Sequence, residues 1–168
     1  LLTTGFESRR NTEQNINIRW NPGKGISLVS KALQGFKVND SEAFQNRSYL
    51  IYFQGLELES TIQPGQLIRG IARLKYRGQQ NRLGDMNEIS DQYEIQTEMT
   101  INEGNRFSLR AGCTYSYITF NGVTNSPLEF AMLEGLKNGN NLLWNIQFER
   151  RMYNNVQLLV SYEGRKTG

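Results

Sequence analysis

A strict two-residue alternation of apolar and polar side chains runs through most of this chain. Over residues 91–102 the apolar side chains occupy odd positions, while the even positions from 92 to 100 are Gln, Glu or Thr. Successive side chains of a β-strand point to opposite faces, so this segment is predicted to be a strand with one apolar face. The same period recurs over residues 50–59, 68–77, 107–117, 142–151 and 156–163, and more weakly over 16–33.

The predicted connections alternate between short and long. The short ones are the turn-forming pairs Pro22-Gly23, Pro64-Gly65, Glu103-Gly104 and Asn154-Asn155. Long polar connections are expected over residues 34–46, 78–90 and 121–141. Outer-membrane barrels have this asymmetry, and a tilted transmembrane strand needs only ~9–11 residues. We therefore expect an all-β fold: an antiparallel up-and-down β-meander of about eight strands, forming part or all of a transmembrane β-barrel.

Composition excludes several classes of function. The chain has 168 residues, 38% of them hydrophobic, and contains no run of the ~20 apolar residues that a transmembrane helix requires. A net charge of +3 is too weak to indicate a nucleic-acid partner. Histidine is absent and Cys113 is the single cysteine, so no His-based catalytic triad, His-ligated metal site or internal disulfide is available. We expect no enzymatic activity, no cofactor and no metal.

The apolar face of the predicted sheet carries large aliphatic and aromatic side chains. If the sheet is a barrel wall, this face contacts membrane lipid. The residues expected to face lipid are Tyr93, Ile95, Met99, Ile101, Leu109, Trp144, Ile146, Leu158 and Val160.

The polar face carries charges of both signs, which suits the interior of a barrel. Pairing Asn102 with Arg106 would place Glu98 opposite Arg110, and pairing Ile62 with Gln66 would place Glu59 opposite Arg69. The predicted charge ladder of the lumen consists of Glu59, Arg69, Arg73, Lys75, Glu94, Glu98 and Arg110. The alternative is that these are solvated outer charges of a water-soluble sheet, and we favour the lumen.

The last long connection contains a helix start. Ser126 is a predicted N-cap, Pro127 occupies the first helical position and Glu129 completes a capping box. Phe130 and Leu133 are expected on one side of this external loop helix, and Gly135 is expected to end it. The helix is either a lid, plug or docking element at the external mouth, or an element that packs its apolar side on the barrel rim. We favour packing on the rim.

Several segments together carry a family resemblance. Residues 126–136, then Gly139-Asn140-Asn141, Trp144-Asn145 and residues 161–166, resemble the C-terminal region of large outer-membrane β-barrel proteins of Bacteroidota type. The likeness spans most of the chain and is strongest from Pro127 onward. It implies the outer membrane of a Gram-negative bacterium, and a further strand after residue 168. We accordingly expect residues 1–168 to be a single β-barrel segment of a longer chain.

Two functions from different classes follow from these patterns. The favoured one is an integral outer-membrane β-barrel that acts as a structural scaffold, a pore or a subunit of a secretion, assembly or uptake machine. Its expected partners are membrane lipid and other outer-membrane or periplasmic subunits. The alternative is a soluble β-barrel or sandwich that binds a small apolar ligand and stays soluble without detergent.

Overall fold

The computed structural model describes residues 6–42, 44, 47–83, 87–104, 106–152 and 156–168. Within them lie one short helix and eight strands, which are β1 (Glu7–Gly23), β2 (Ile26–Ser41), β3 (Tyr49–Ile62), β4 (Ile68–Asn81), β5 (Ile89–Glu103), β6 (Phe107–Asn121), α1 (Pro127–Leu133), β7 (Gly139–Arg151) and β8 (Gln157–Thr167).

The eight strands form one antiparallel sheet in the order β1 to β8, so each strand pairs only with its neighbours in sequence. The expected all-β, up-and-down meander is thereby confirmed. The sheet is open, because β1 and β8 are its two edges and do not pair with each other. Each edge strand consequently presents a row of unpaired backbone groups.

The strands are longer than the alternation of side chains predicts. β2 continues to Ser41 and β4 to Asn81, so the long connections predicted over 34–46 and 78–90 shrink to 42–48 and 82–88. Polar side chains such as Gln34 and Gln80 end the apolar pattern on their face without interrupting the backbone hydrogen bonds. The short connections are 24–25, 63–67 and 104–106, and the third long one is 122–138. The turn predicted at Asn154-Asn155 lies outside the described residues.

The register of the sheet is staggered in one direction. One row of directly opposed residues runs Ile16, Ala32, Leu56, Tyr76, Tyr93, Tyr117, Asn140. This row crosses the middle of β2 at Ala32, yet it meets β7 at its second residue. Strands that close into a barrel are tilted, and the tilt requires a cumulative shift of this kind.

The two faces of the sheet differ sharply in chemistry. All nine residues expected to face lipid lie on the same face, since their opposed pairs share it across β4 to β8. Tyr93 is 53% exposed and Val160 52%, which is unusual for side chains of this size. Cys113 is exposed on this apolar face, in the row that joins Thr97 to Trp144.

The apolar face is interrupted toward the long connections. The last row before the interruption contains three directly opposed tyrosines, Tyr76, Tyr93 and Tyr117. The next row on the same face is polar or lacks a side chain, and it runs Gln14, Gln34, Gln54, Gly78, Asp91, Thr119. We call these the tyrosine row and the polar row. Together they mark a boundary across at least six strands.

Candidate functional site

The polar face carries a row of alternating charges across four consecutive strands. Lys31, Glu57, Lys75 and Glu94 are directly opposed in that order from β2 to β5. Lys75 Nζ lies 2.9 Å from Glu94 Oε1, and Lys31 Nζ lies 3.5 Å from a carboxylate oxygen of Glu13 on β1. Opposite charges that face each other across strands stabilise the pairing modestly. We call these four residues the charge row.

A second ion pair lies one row closer to the short turns. Arg73 Nε donates to Glu59 Oε2 at 2.6 Å, and about a quarter of each side chain is exposed, 23% and 26%. The prediction that Glu59 lies opposite Arg69 is wrong, because the five-residue connection 63–67 shifts the register and places Arg73 opposite it. Arg69 lies opposite Thr100.

The pairing predicted between Glu98 and Arg110 is also displaced. β5 and β6 pair out to Glu103 and Phe107, so Glu98 lies opposite Gly112 and Arg110 opposite Thr100. The two charges are diagonal neighbours, with Arg110 Nε 3.9 Å from Glu98 Oε1. The shift is two residues, which leaves both side chains on the predicted face.

The loop helix α1 is seated on the polar face, against the end nearest the long connections. Leu128, Met132 and Leu133 are buried, and they form the core cluster of the molecule with Ile51 of β3 and Ile118 of β6. Both sheet residues lie on the polar face, since Ile51 opposes Asn81 and Ile118 opposes Gln92. The helix therefore covers the polar face of the sheet at this end.

The start of α1 follows the predicted cap with one difference. Ser126 is the N-cap, its hydroxyl accepts a hydrogen bond from the Glu129 backbone N–H at 3.0 Å, and Pro127 is the first helical residue. The Glu129 carboxylate accepts from the backbone N–H of Asn125 instead of the N–H of Ser126. It thereby secures the residue before the cap, which adopts a positive φ of 59°.

The prediction of the apolar side of α1 is wrong at Phe130. Phe130 and Leu133 were predicted to share a buried side, but Phe130 is 71% exposed whereas Leu133 is 1% exposed. Leu128 and Met132 instead share one side of the helix, four residues apart, and Leu133 is buried beside them. Phe130 packs near Gly135 on the outer side of the connection.

Two contacts hold the C-terminal end of α1 to the sheet. The side-chain amide of Gln79 on β4 donates to the Met132 carbonyl at 2.6 Å. Glu134, the C-cap residue, accepts from Lys37 Nζ at 3.2 Å and from Arg77 Nη1 at 2.7 Å. These two cations belong to different strands, so one carboxylate links α1 to both β2 and β4. The helix itself ends at Leu133, one residue before Glu134 and two before Gly135.

A small charged cavity separates α1 from the charge row. Its volume is about 210 Å³, and its lining includes Lys31, Glu57, Lys75, Glu94 and Glu134. Two buried polar atoms on this face, Gln79 Oε1 and Ser90 Oγ, have no hydrogen-bond partner within the described residues. Polar groups in such positions are commonly satisfied by ordered water.

Sequence reasoning missed several members of this site. Lys31 and Glu57 complete the charge row, and Lys37 and Glu134 hold the helix, although none of the four belongs to the predicted charge ladder. One signal was available: Ile51, Phe53, Ile118 and Phe120 break the polar pattern at the same end of the sheet. Apolar side chains on an otherwise polar face indicate that another element covers them.

Comparisons with protein families, curated proteins and solved structures return no significant match to this chain. In the described part of the chain, no helix has the length and hydropathy needed to cross a membrane. No group of three or more Cys, Asp or Glu side chains suited to a metal ion occurs among those same residues.

Proposed function

We propose that this chain forms a wall of an integral outer-membrane β-barrel, with the apolar face toward lipid, the charge row toward the lumen, and α1 folded inside as a constriction. The observation that carries the proposal is the sheet's broad exposed apolar face, which is bounded by the tyrosine row. Within the barrel, this wall acts as a scaffold or a pore.

The exposed apolar surface extends across all eight strands of the sheet. Monomers rarely expose contiguous apolar patches above a few hundred Å², and such patches mark interaction with a protein or a membrane. Here exposed aliphatic and aromatic side chains occur on every strand of one face, from Ile16 on β1 to Tyr162 on β8. Lipid can cover the apolar side chains of such a face on every strand.

The height of the apolar face suits an outer membrane. From Tyr93 to Ile101 β5 rises by about 27 Å at ~3.4 Å per residue. A strand tilt of ~40° reduces this to about 21 Å, close to the ~25 Å apolar band of outer-membrane barrels. Tyrosines at one limit of the band are typical of a membrane interface, because their rings are apolar and their hydroxyl groups are polar.

The inner surface has the chemistry of a lumen rather than of a dry core. Both charges of the Glu59–Arg73 pair are about a quarter exposed, and the cavity beneath α1 is lined mainly by charged groups. A soluble sandwich would bury an apolar face instead. The resemblance to Bacteroidota outer-membrane proteins is an independent reason for the same assignment.

Cys113 provides a direct test in the unaltered chain. We expect a nitroxide attached to Cys113 in protein folded in lipid vesicles to be relaxed strongly by oxygen and weakly by a water-soluble nickel complex. The physical reason is that Cys113 lies in the middle of the apolar face.

The matched control is the double variant Cys113→Ser, Thr114→Cys, which moves the label by one residue to the polar face. There the nickel complex should dominate. Stronger relaxation by nickel at Cys113 than at position 114 would contradict the membrane assignment. The soluble alternative further requires that the protein remain monodisperse after detergent is removed.

A further inference from the structure

Beyond the polar row, the apolar-side face of the sheet carries two arginines stacked on two aromatic rings. Arg82 Cζ lies 4.3 Å from the centre of the Tyr52 ring, and Arg10 Cζ lies 5.8 Å from that of Phe36. The two rings are themselves neighbours, with centroids 6.0 Å apart. These four residues, which we call the arginine patch, lie on β1 to β3 and directly after β4.

Both guanidinium groups of the patch are available to an external anion. Arg10 and Arg82 are exposed, and neither makes a salt bridge with any carboxylate of the described residues. Each guanidinium lies over an aromatic ring, which favours its position without neutralising its charge. Two preoriented cations on one surface favour a phosphate-bearing ligand.

A cavity of about 600 Å³ adjoins the patch on the same face. Its lining includes Tyr52 and Arg82 together with Gln34, Gln54 and Gln80. The side-chain amides of Gln54 and Gln80 make no hydrogen bond within the described part of the chain. Asp91 also lines the cavity, but its carboxylate accepts from the Tyr76 hydroxyl at 2.8 Å.

Free amides beside aromatic rings suit a sugar. Each amide offers donors and an acceptor to hydroxyl groups, and an aromatic ring offers a flat apolar surface to the C–H side of a pyranose. The volume falls in the ~300–1,000 Å³ range of small-ligand sites. Arg82 lines the cavity, and Arg10 lies over the ring of Phe36, which lines it too. The cavity is therefore matched to a sugar that carries phosphate.

We propose that the arginine patch and this cavity bind the phosphorylated sugar headgroup of a glycolipid in the outer leaflet, the chemistry of lipopolysaccharide. The proposal rests on the proposed function, because that function puts the patch on the lipid-facing side, just outside the apolar band and at the end of the long external connections. A headgroup anchored there has its acyl chains directed along the tyrosine row and the apolar face.

The test uses protein folded in dodecyl maltoside and mixed with purified diphosphoryl lipid A, with retention counted by native mass spectrometry. We expect one retained lipid A at low excess, and about tenfold weaker retention for each of Arg10→Gln and Arg82→Gln, the usual effect of losing a charge-assisted hydrogen bond. Arg150→Gln is the matched control. Arg150 lies on the same face at the opposite end of the sheet, opposed to Leu158, and its loss should leave retention unchanged.

Two further ligands keep the test decisive if a variant fails to fold. Unaltered protein should retain dephosphorylated lipid A and phosphatidylglycerol at least tenfold less than diphosphoryl lipid A. Equal retention of all three, or an equal loss in Arg150→Gln, would overturn the headgroup site. In that case the Cys113 label would still report a lipid-facing strand, so failure of the site is distinguishable from failure of the membrane assignment.

Discussion

Glu134 caps the C-terminal end of the loop helix and also joins that end to the sheet through ion pairs. Its φ of 53° and ψ of 36° place it in the left-handed region, which costs a non-glycine residue on the order of 1 kcal/mol. A glycine at position 134 would remove this cost, because it has no Cβ atom, yet the first glycine of this segment stands one position later, at 135. The Glu134 carboxylate, which a glycine would lack, contacts both Lys37 and Arg77. These contacts offset the free-energy cost of the left-handed backbone.

We expect Glu134→Gln to lower the free energy of unfolding by about 1 kcal/mol, because it removes two ion pairs but leaves the strained backbone. Half of the Glu134 side chain is exposed, at 50%, and screening by solvent keeps the effect this small. The measurement is urea unfolding in detergent.

Glu103→Gln is the control for this variant. It breaks an ion pair with Arg106, whose side chain is 82% exposed, so the change should be close to zero. A Glu134 variant as stable as the Glu103 variant would show that these contacts do not hold the helix.

Two acidic residues of the predicted ladder, Glu59 and Glu98, should differ in their coupling to arginine. A double-mutant cycle on Glu59 and Arg73, whose atoms are 2.6 Å apart, should give about 1–2 kcal/mol. The same cycle on Glu98 and Arg110, 3.9 Å apart with the arginine 56% exposed, should give at most ~0.5 kcal/mol. Larger coupling for the second pair would argue for the register predicted from sequence instead.

At the scale of elements, α1 behaves as an amphipathic insert whose apolar stripe needs the sheet. Seven residues are too few for an isolated helix, so the burial of Leu128, Met132 and Leu133 supplies its stability. Because the stripe fits against Ile51 and Ile118, losing one member should release the helix before it unfolds the sheet.

Met132→Ala tests this seat of the helix. The side chain is fully buried, and a truncation of this kind costs about 2–5 kcal/mol at a site that cannot collapse. We expect faster proteolysis within residues 122–138 while the strands stay protected. Phe130→Ala, on the same helix but 71% exposed, should leave the cleavage rate within twofold of the unaltered protein. Equal protection in both variants would mean that α1 is held by other contacts.

Strands and their faces were predictable because a pleated backbone assigns each side chain to a face by position alone. Pairing partners were not, since they depend on how many residues each turn consumes, and the register between Ile62 and Gly70 is visible only in the sheet. The cap at Ser126 was predictable from local chemistry, whereas the seat of α1 was not. Its contacts with Ile51 join residues far apart in sequence, and a break in the polar pattern at Ile51 indicates that some element covers this residue but not which one.

At the scale of the whole molecule, the connections sort by end of the sheet. Connections 24–25, 63–67 and 104–106 lie at one end, and 42–48, 82–88 and 122–138 at the other. The tyrosine row and the arginine patch lie toward the second end. If the sheet spans the outer membrane, that end is external.

Epitope tags inserted at 42–48, at 82–88 or after Gly122 should be reached by antibody on intact cells. Tags at 24–25, 63–67 or 104–106 should be reached only after the outer membrane is permeabilised, because short turns face the periplasm. Flow cytometry before and after permeabilisation gives the comparison. Tags from both groups detected together on intact cells would contradict this topology.

The neighbour-only order of the strands also bears on how the sheet assembles. Every strand pairs only with strands adjacent in the chain, so each hairpin adds to a growing edge without waiting for a distant segment. The connection with the largest closure entropy is 122–138, which joins β6 to β7, and the helix within it shortens the effective loop. Assembly of the sheet should therefore pause between the sixth and seventh strands, and the docking of α1 on β3 and β6 should end the pause.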